Sequence, residues 1–164
     1  MNMTFLQFIQ AIVIGLIATL SIDIWSYFFK KCFNQTTLNF CFVGRWALTM
    51  ASGQFKHVDI AASEAKEREC VVGWILHYII GALFSLFFVL LIGKEWMTSP
   101  LFLPACLFGL FSTVMPFFVM QPALGLGVMA VNTAKPNQAR LKTLTTHLLF
   151  GVGLYLSAQF VLFI

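Results

Sequence analysis

The stretch "GWILHYIIGALFSLFFVLLIG", residues 73–93, is apolar from end to end except for Ser85, Tyr78 and one histidine, His77, and it carries no full charge. A helix rises about 1.5 Å per residue, so a run of this length covers the roughly 30 Å hydrocarbon core of a bilayer. Its apolar residues are continuous rather than alternating, which excludes a strand of a transmembrane barrel. The span it belongs to covers about 71–93, and three further stretches, about 5–29, 101–121 and 141–164, meet the same length requirement. The chain is 60% hydrophobic and only 10% charged, against about 25% charged in an ordinary soluble domain. The reading is an all-α polytopic membrane protein, residues 1–164 forming one domain of four transmembrane helices in one bundle.

Two longer connections remain, about 30–70 and 122–140. The first apolar stretch has no Lys or Arg before it and no small-x-small cleavage site after it, so it is expected to stay in the mature protein as a span. Cys32, Cys41, Cys70 and Cys106 contain no C-x-x-C pair. Neither a zinc knuckle nor a disulfide framework is therefore expected, and the cysteines read as small apolar or surface residues.

The formal charge of +4 does not indicate nucleic-acid binding, because the basic residues cluster in loops beside the spans. With four spans, Lys30, Lys31, Arg45, Lys56, Lys66, Arg68, Lys135, Arg140 and Lys142 share one side and Lys94 alone has the other. Positive loops are retained in the cytoplasm, which puts both long loops inside and both termini outside. Within the first loop, "FCFVGRWALTMASGQF" places Val43, Trp46, Ala47 and Met50 at helical spacing. This predicts a short interfacial helix anchored by the amphipathic ring of Trp46 and by Arg45, paired with a lipid phosphate or a nearby carboxylate. Ser63 followed by Glu64 and Glu67 predicts the start of a helix that runs on into the second span. Pro116, inside the third span, is expected to kink or unwind it. The following "QPALGLGVMAVNTAKPNQ" reads as a segment lying along or dipping into the cytoplasmic interface.

Residues four apart stack on one helix face. The first span thus presents Ala11, Gly15, Thr19 and Asp23, the second Gly73, His77, Gly81 and Ser85, and the fourth Thr143, His147, Gly151, Tyr155 and Gln159. Small residues let membrane helices approach closely. Each of these faces also carries one ionisable group, and Asp23, His77 and His147 each lie about six residues, near 9 Å, from the cytoplasmic ends of their spans. They are expected to share one layer, which the kinked third span approaches with Thr113, Met120 and Gln121. The ligand- or proton-binding candidates are Asp23, His77, His147, Gln121, Tyr78 and Tyr155. Arg45, Trp46 and Trp74 are the interfacial or anion-facing candidates.

The ordered motifs "GLIATLSIDIW", "GRWAL", "GWILHY", "QPALGLGVMA" and "HLLFGVGLYL" resemble a family of small bacterial membrane proteins, the domain of unknown function twenty-nine thirty-eight. The resemblance covers nearly the whole chain and implies a four-span protein of the inner membrane with no established activity.

From the residues themselves, the leading reading is a non-enzymatic binding or transport component whose polar layer takes a proton, ion or small ligand. Secondary transporters build their sites between multi-helix halves, and a homodimer would supply the missing half while burying Gly109 of the third span. An alternative is a redox protein, with His77 and His147 ligating haem or joining Asp23 around a transition metal. A second alternative is an enzyme acting on a lipid or isoprenoid, with Trp74 and Tyr78 beside His77, although no nucleophile elbow, P-loop or H-E-x-x-H pattern is present.

Overall fold

The computed structural model describes residues 3–33 and 38–163, and these are helical with no strand among them. Five helices set the architecture: α1 (Phe5–Phe33), α2 (Phe40–Met50), α3 (Glu69–Ile92), α4 (Phe102–Ala123) and α5 (Pro136–Leu162). All but α2 are long and apolar enough to cross a membrane. The four expected spans are present, and α1 and α5 extend past their apolar runs. The early start of α5 has a local cause, since Pro136 occupies its first position, where the missing N–H costs no hydrogen bond. At the start of α1, Thr4 and Gln7 form a reciprocal capping box: the Thr4 N–H donates to Gln7 Oε1 at 3.0 Å and the Gln7 N–H to Thr4 Oγ1 at 3.2 Å.

The second span shows how the sequence sorts itself for lipid. Ile75, Ile79, Leu83, Phe87 and Leu90 are exposed along one side of α3, whereas Gly73, Gly81 and Ser85 are buried on another. Bulky side chains face outward and small ones inward, the arrangement expected where lipid replaces water and helices associate by close packing.

The chain divides into two compact units. The first comprises Met1–Thr37, Tyr78–Phe111 and Thr146–Ile164. Here α1 and α3 run antiparallel on a seam of small residues. Ser85 Oγ donates to the Ala11 carbonyl at 2.7 Å, and a Cβ placed on Gly15 would lie 2.6 Å from the Gly81 carbonyl oxygen. Thr19 turns its hydroxyl back onto the Gly15 carbonyl at 2.8 Å, which satisfies that group inside the apolar seam. Gly153 of α5 packs against Ala18 of α1, and Gly151 against Ala105 and Cys106 of α4. The core between these contacts is formed by Ile14, Ala18, Phe88, Val89, Phe108, Phe150 and Leu154. Gly109, expected to offer a face for a second copy, is covered within the chain: its Cα side meets the His147 carbonyl and the Gly151 backbone. Both helices are glycine-bearing at that level, so their backbones close the gap themselves.

The second unit comprises Leu38–His77 and Ser112–Thr145. The helix anticipated in the first loop is α2, capped by Asn39, whose side chain accepts the Cys41 N–H at 3.1 Å. The helix anticipated from Ser63 does not form. Residues 63–66 are irregular, Arg68 adopts a left-handed φ of 60°, and α3 starts at Glu69. Ser63 is committed elsewhere, its hydroxyl donating to the Asp59 carbonyl at 2.9 Å.

The expectation of isolated cysteines is also overturned, because Cys41 and Cys70 form a disulfide with their Cα atoms 3.8 Å apart. They are 29 positions apart in sequence, and what unites them is the crossing of α2 over α3. Gly44 there lies against the Glu69 and Gly73 backbone, and Gly73 against the Phe40 carbonyl. Cys32 and Cys106 are free thiols.

Pro116 breaks α4 as its chemistry requires. It has no N–H to give to the Ser112 carbonyl, which instead receives the Met115 N–H at 3.2 Å. A π-helical turn follows over Pro116–Met120, closed by the Gln121 N–H on the Pro116 carbonyl. Beyond it the chain turns through left-handed residues Gly125, Gly127, Met129 and Ala130. This segment holds the first loop through the His57 N–H on the Ala123 carbonyl at 2.8 Å and the Ile60 N–H on the Leu124 carbonyl at 3.1 Å.

Candidate functional site

In the first unit, two ionisable side chains from the spans meet. The stripe of α1 ends in Asp23, and α3, running antiparallel to it, brings Tyr78, one turn before Gly81 and next to the stripe residue His77, opposite it, so that Tyr78 Oη donates to Asp23 Oδ2 at 2.9 Å. Both residues are half-buried. A hydrogen bond to a carboxylate is short, directional and stronger than a neutral one, and it fixes the carboxylate's rotamer. His147 and Tyr155 of α5 belong to the same unit. His147 is half-buried, with its backbone against Gly109. Tyr155 stacks edge-on against Phe102 with ring centroids 5.4 Å apart.

His77 belongs to the second unit, in an aromatic cluster with Phe40 at 4.1 Å and Trp74 at 5.8 Å between ring centroids. Gln121 is buried in the same unit. Its Nε2 donates to Thr143 Oγ1 at 3.2 Å while its Oε1 has no hydrogen-bond partner among the described residues. Among the described residues no group of three or more His, Cys, Asp or Glu side chains is arranged to hold a metal ion.

A dense polar network of the second unit surrounds Arg45. This residue is only 6% exposed. Its guanidinium grips Glu69 bidentately, Nε on Oε2 and Nη2 on Oε1, both at 2.8 Å. Its Nη1 donates to the carbonyls of Ile60 at 2.8 Å and Ser63 at 2.6 Å, and the Phe42 ring lies 5.3 Å from Cζ. The hydrogen bonds with Glu69 hold the Arg45 charge even more firmly than usual, raising its pKa. Glu69 Oε2 also accepts the Lys66 N–H at 2.7 Å. Arg45 therefore ties α2, the loop and the start of α3 together, its charge answered inside the unit. Trp46, beside it, is half-buried and donates through Nε1 to the Phe55 carbonyl at 2.9 Å, whereas Trp74 is 44% exposed.

His57, 3% exposed, extends this network. Thr49 Oγ1 donates to the Trp46 carbonyl at 2.9 Å and lies within hydrogen-bond distance of His57 Nε2, also at 2.9 Å. On the other side of the ring, Nδ1 faces Ser63 Oγ at 3.0 Å and Gln54 Nε2 at 3.3 Å. Sequence reasoning found Arg45 but missed Glu69, Thr49, His57 and Ser63. The one available signal was local: Arg45 and Thr49 are four apart, which marks a polar face on an otherwise apolar helix.

Beside His57 lies an open depression of about 540 Å³, lined by Lys56, Val58, Pro122, Gly125, Gly127 and Asn132 among others. No curated protein and no solved structure matches the chain. The model of the family described as "Protein of unknown function (DUF2938)" matches residues 12–161, which include the Asp23–Tyr78 pair, the Arg45 network and the broken α4, and the chain belongs to that family.

Proposed function

We propose that this membrane protein binds a proton or small cation at Asp23, as a non-enzymatic binding or transport component of the bacterial inner membrane. The observation that carries the reading is the Tyr78–Asp23 hydrogen bond within the spans. A carboxylate is costly in a spanning helix, and its retention there with a dedicated donor is the usual mark of an ion or proton site. The basic residues of the two long loops support an orientation with those loops in the cytoplasm and the termini outside. In that orientation Asp23 lies toward the cytoplasmic end of α1.

The test is proton uptake by protein in lipid nanodiscs, followed by infrared difference spectroscopy of the carboxyl stretch. Asp23→Asn is expected to remove one titrating carboxyl band with the melting temperature little changed. Tyr78→Phe is expected to keep the band but shift its frequency, because the hydrogen bond onto the carboxyl group is gone. An unchanged titration in Asp23→Asn would defeat the proposal. For orientation, a reporter that fluoresces only in the cytoplasm is expected to be bright when fused after Lys66 and dark when fused after Ile164, and the opposite pattern would invert the assignment.

A further inference from the structure

The disulfide joins two helix starts rather than two loops. Cys41 is the second residue of α2, its N–H held by the Asn39 cap, and Cys70 is the second residue of α3. First-turn positions favour negative charge, because the positive end of the helix dipole lies there, and a cysteine there is more stable as thiolate. A sulfur that is stable as thiolate is a good leaving group, and a dithiol stabilised in this way makes its disulfide easier to reduce.

The two residues also differ in exposure, Cys70 being exposed and Cys41 half-buried. Opening the bridge would not release the helices. The Arg45–Glu69 ion pair and the Gly44–Gly73 crossing hold α2 on α3 independently of it. The proposed cytoplasmic orientation of this loop points the same way, because disulfides that form in that compartment are usually transient and catalytic or redox-sensing.

We propose that Cys41 and Cys70 form a thiol–disulfide exchange site that takes electrons from a soluble low-molecular-weight thiol. The thiolate of the reductant attacks Cys70 Sγ, a new S–S bond forms there, and the Cys41–Cys70 bond breaks with its electron pair leaving on Cys41 as thiolate. A second thiolate then attacks the reductant's sulfur in this mixed disulfide and expels Cys70 as thiolate. Two thiols are oxidised to one small disulfide and one protein disulfide is reduced to two thiols, so the exchange balances with no further reactant.

The experiment uses full-length protein in nanodiscs with Cys32→Ser, which removes the exposed free thiol; Cys106 is buried. Reduced glutathione is added, the reaction is quenched with a polyethylene-glycol maleimide, and helicity is followed in parallel. The expected result is a complete two-thiol mobility shift with helicity unchanged. A bridge that glutathione leaves closed in the folded protein, opening only on denaturation, would mark a purely structural disulfide and overturn the proposal. The order of attack is read separately with oxidised glutathione. Cys41→Ser is expected to collect a stable glutathione adduct on Cys70, and Cys70→Ser much less adduct on Cys41. Equal adducts on the two variants would overturn the assignment of Cys70 as the attacked sulfur. Because these assays use purified protein, their outcome does not depend on orientation, which the reporter fusions test on their own.

Discussion

Arg45→Ala is expected to destabilise the protein by about 3–5 kcal/mol, enough to collapse the second unit at ordinary temperature, because it leaves Glu69 as a buried carboxylate without its partner. Two backbone carbonyls, those of Ile60 and Ser63, lose their donor in the same step. Arg45→Lys keeps the charge but not the planar fork, so it can serve only part of this set and is expected to fall between wild type and alanine. The informative variant is the double replacement Arg45→Met with Glu69→Leu. Removing both charges together abolishes the desolvation penalty along with the attraction, so the double variant is expected to be less destabilised than Arg45→Ala, its remaining cost being the hydrogen bonds lost by the Ile60 and Ser63 carbonyls and the Lys66 N–H. Thermal unfolding in mild detergent, read by circular dichroism and by the monodisperse fraction, distinguishes the three. If Arg45→Ala melted with wild type, the ion pair would not be what holds the loop to α2 and α3.

The same network shows where sequence reading reaches its limit. The spans were legible because an uninterrupted apolar run of about 20 residues has essentially one solution in lipid. The Ala11–Gly15–Thr19–Asp23 and Gly81–Ser85 stripes were legible because i, i+4 spacing is a property of a single helix, and their antiparallel seam in the first unit follows from it. Pro116 was legible because its missing N–H acts on its own turn. Glu69, by contrast, is 24 positions from Arg45, and nothing in either neighbourhood names the other.

The misplaced start of α3 has the same origin. Ser63, Glu64 and Glu67 form a good local helix signal, but the carboxylate that matters is Glu69, which faces Arg45 and caps Lys66 instead. His57 stands in a polar stretch with no local signal to single it out, and only the fold encloses it between Thr49, Gln54 and Ser63. The cysteines were misread because the feature that joins them is a pair of glycines, Gly44 and Gly73, of which only Gly73 signalled close packing in the sequence, without saying against what.

Those two glycines carry the other large effect. A methyl group on Gly44 would run into the Glu69 carbonyl oxygen and come within 2.6 Å of the Gly73 nitrogen, and one on Gly73 would run into the Phe40 carbonyl oxygen. The obstructing atoms are backbone, so no side-chain rotamer can relieve the clash and the helices themselves must move apart. Gly44→Ala and Gly73→Ala are each expected to cost about 3 kcal/mol, at the upper end of overpacking penalties. The displacement has a direction that can be measured. Cys41 lies one turn from Gly44 on α2, and Cys70 one turn from Gly73 on α3, so separating the helices lengthens the span that the disulfide must bridge. The bridged fraction after air oxidation, read by maleimide mobility shift, should therefore fall together with the melting temperature. Gly53, with nothing within 4 Å of its Cβ position, offers no such obstruction. At its φ of +83°, Gly53→Ala is expected to cost only the strain of a left-handed alanine, about 1 kcal/mol, with the disulfide formed in full. A Gly73→Ala protein that melted lower yet closed its disulfide completely would place the strain elsewhere than the α2–α3 crossing.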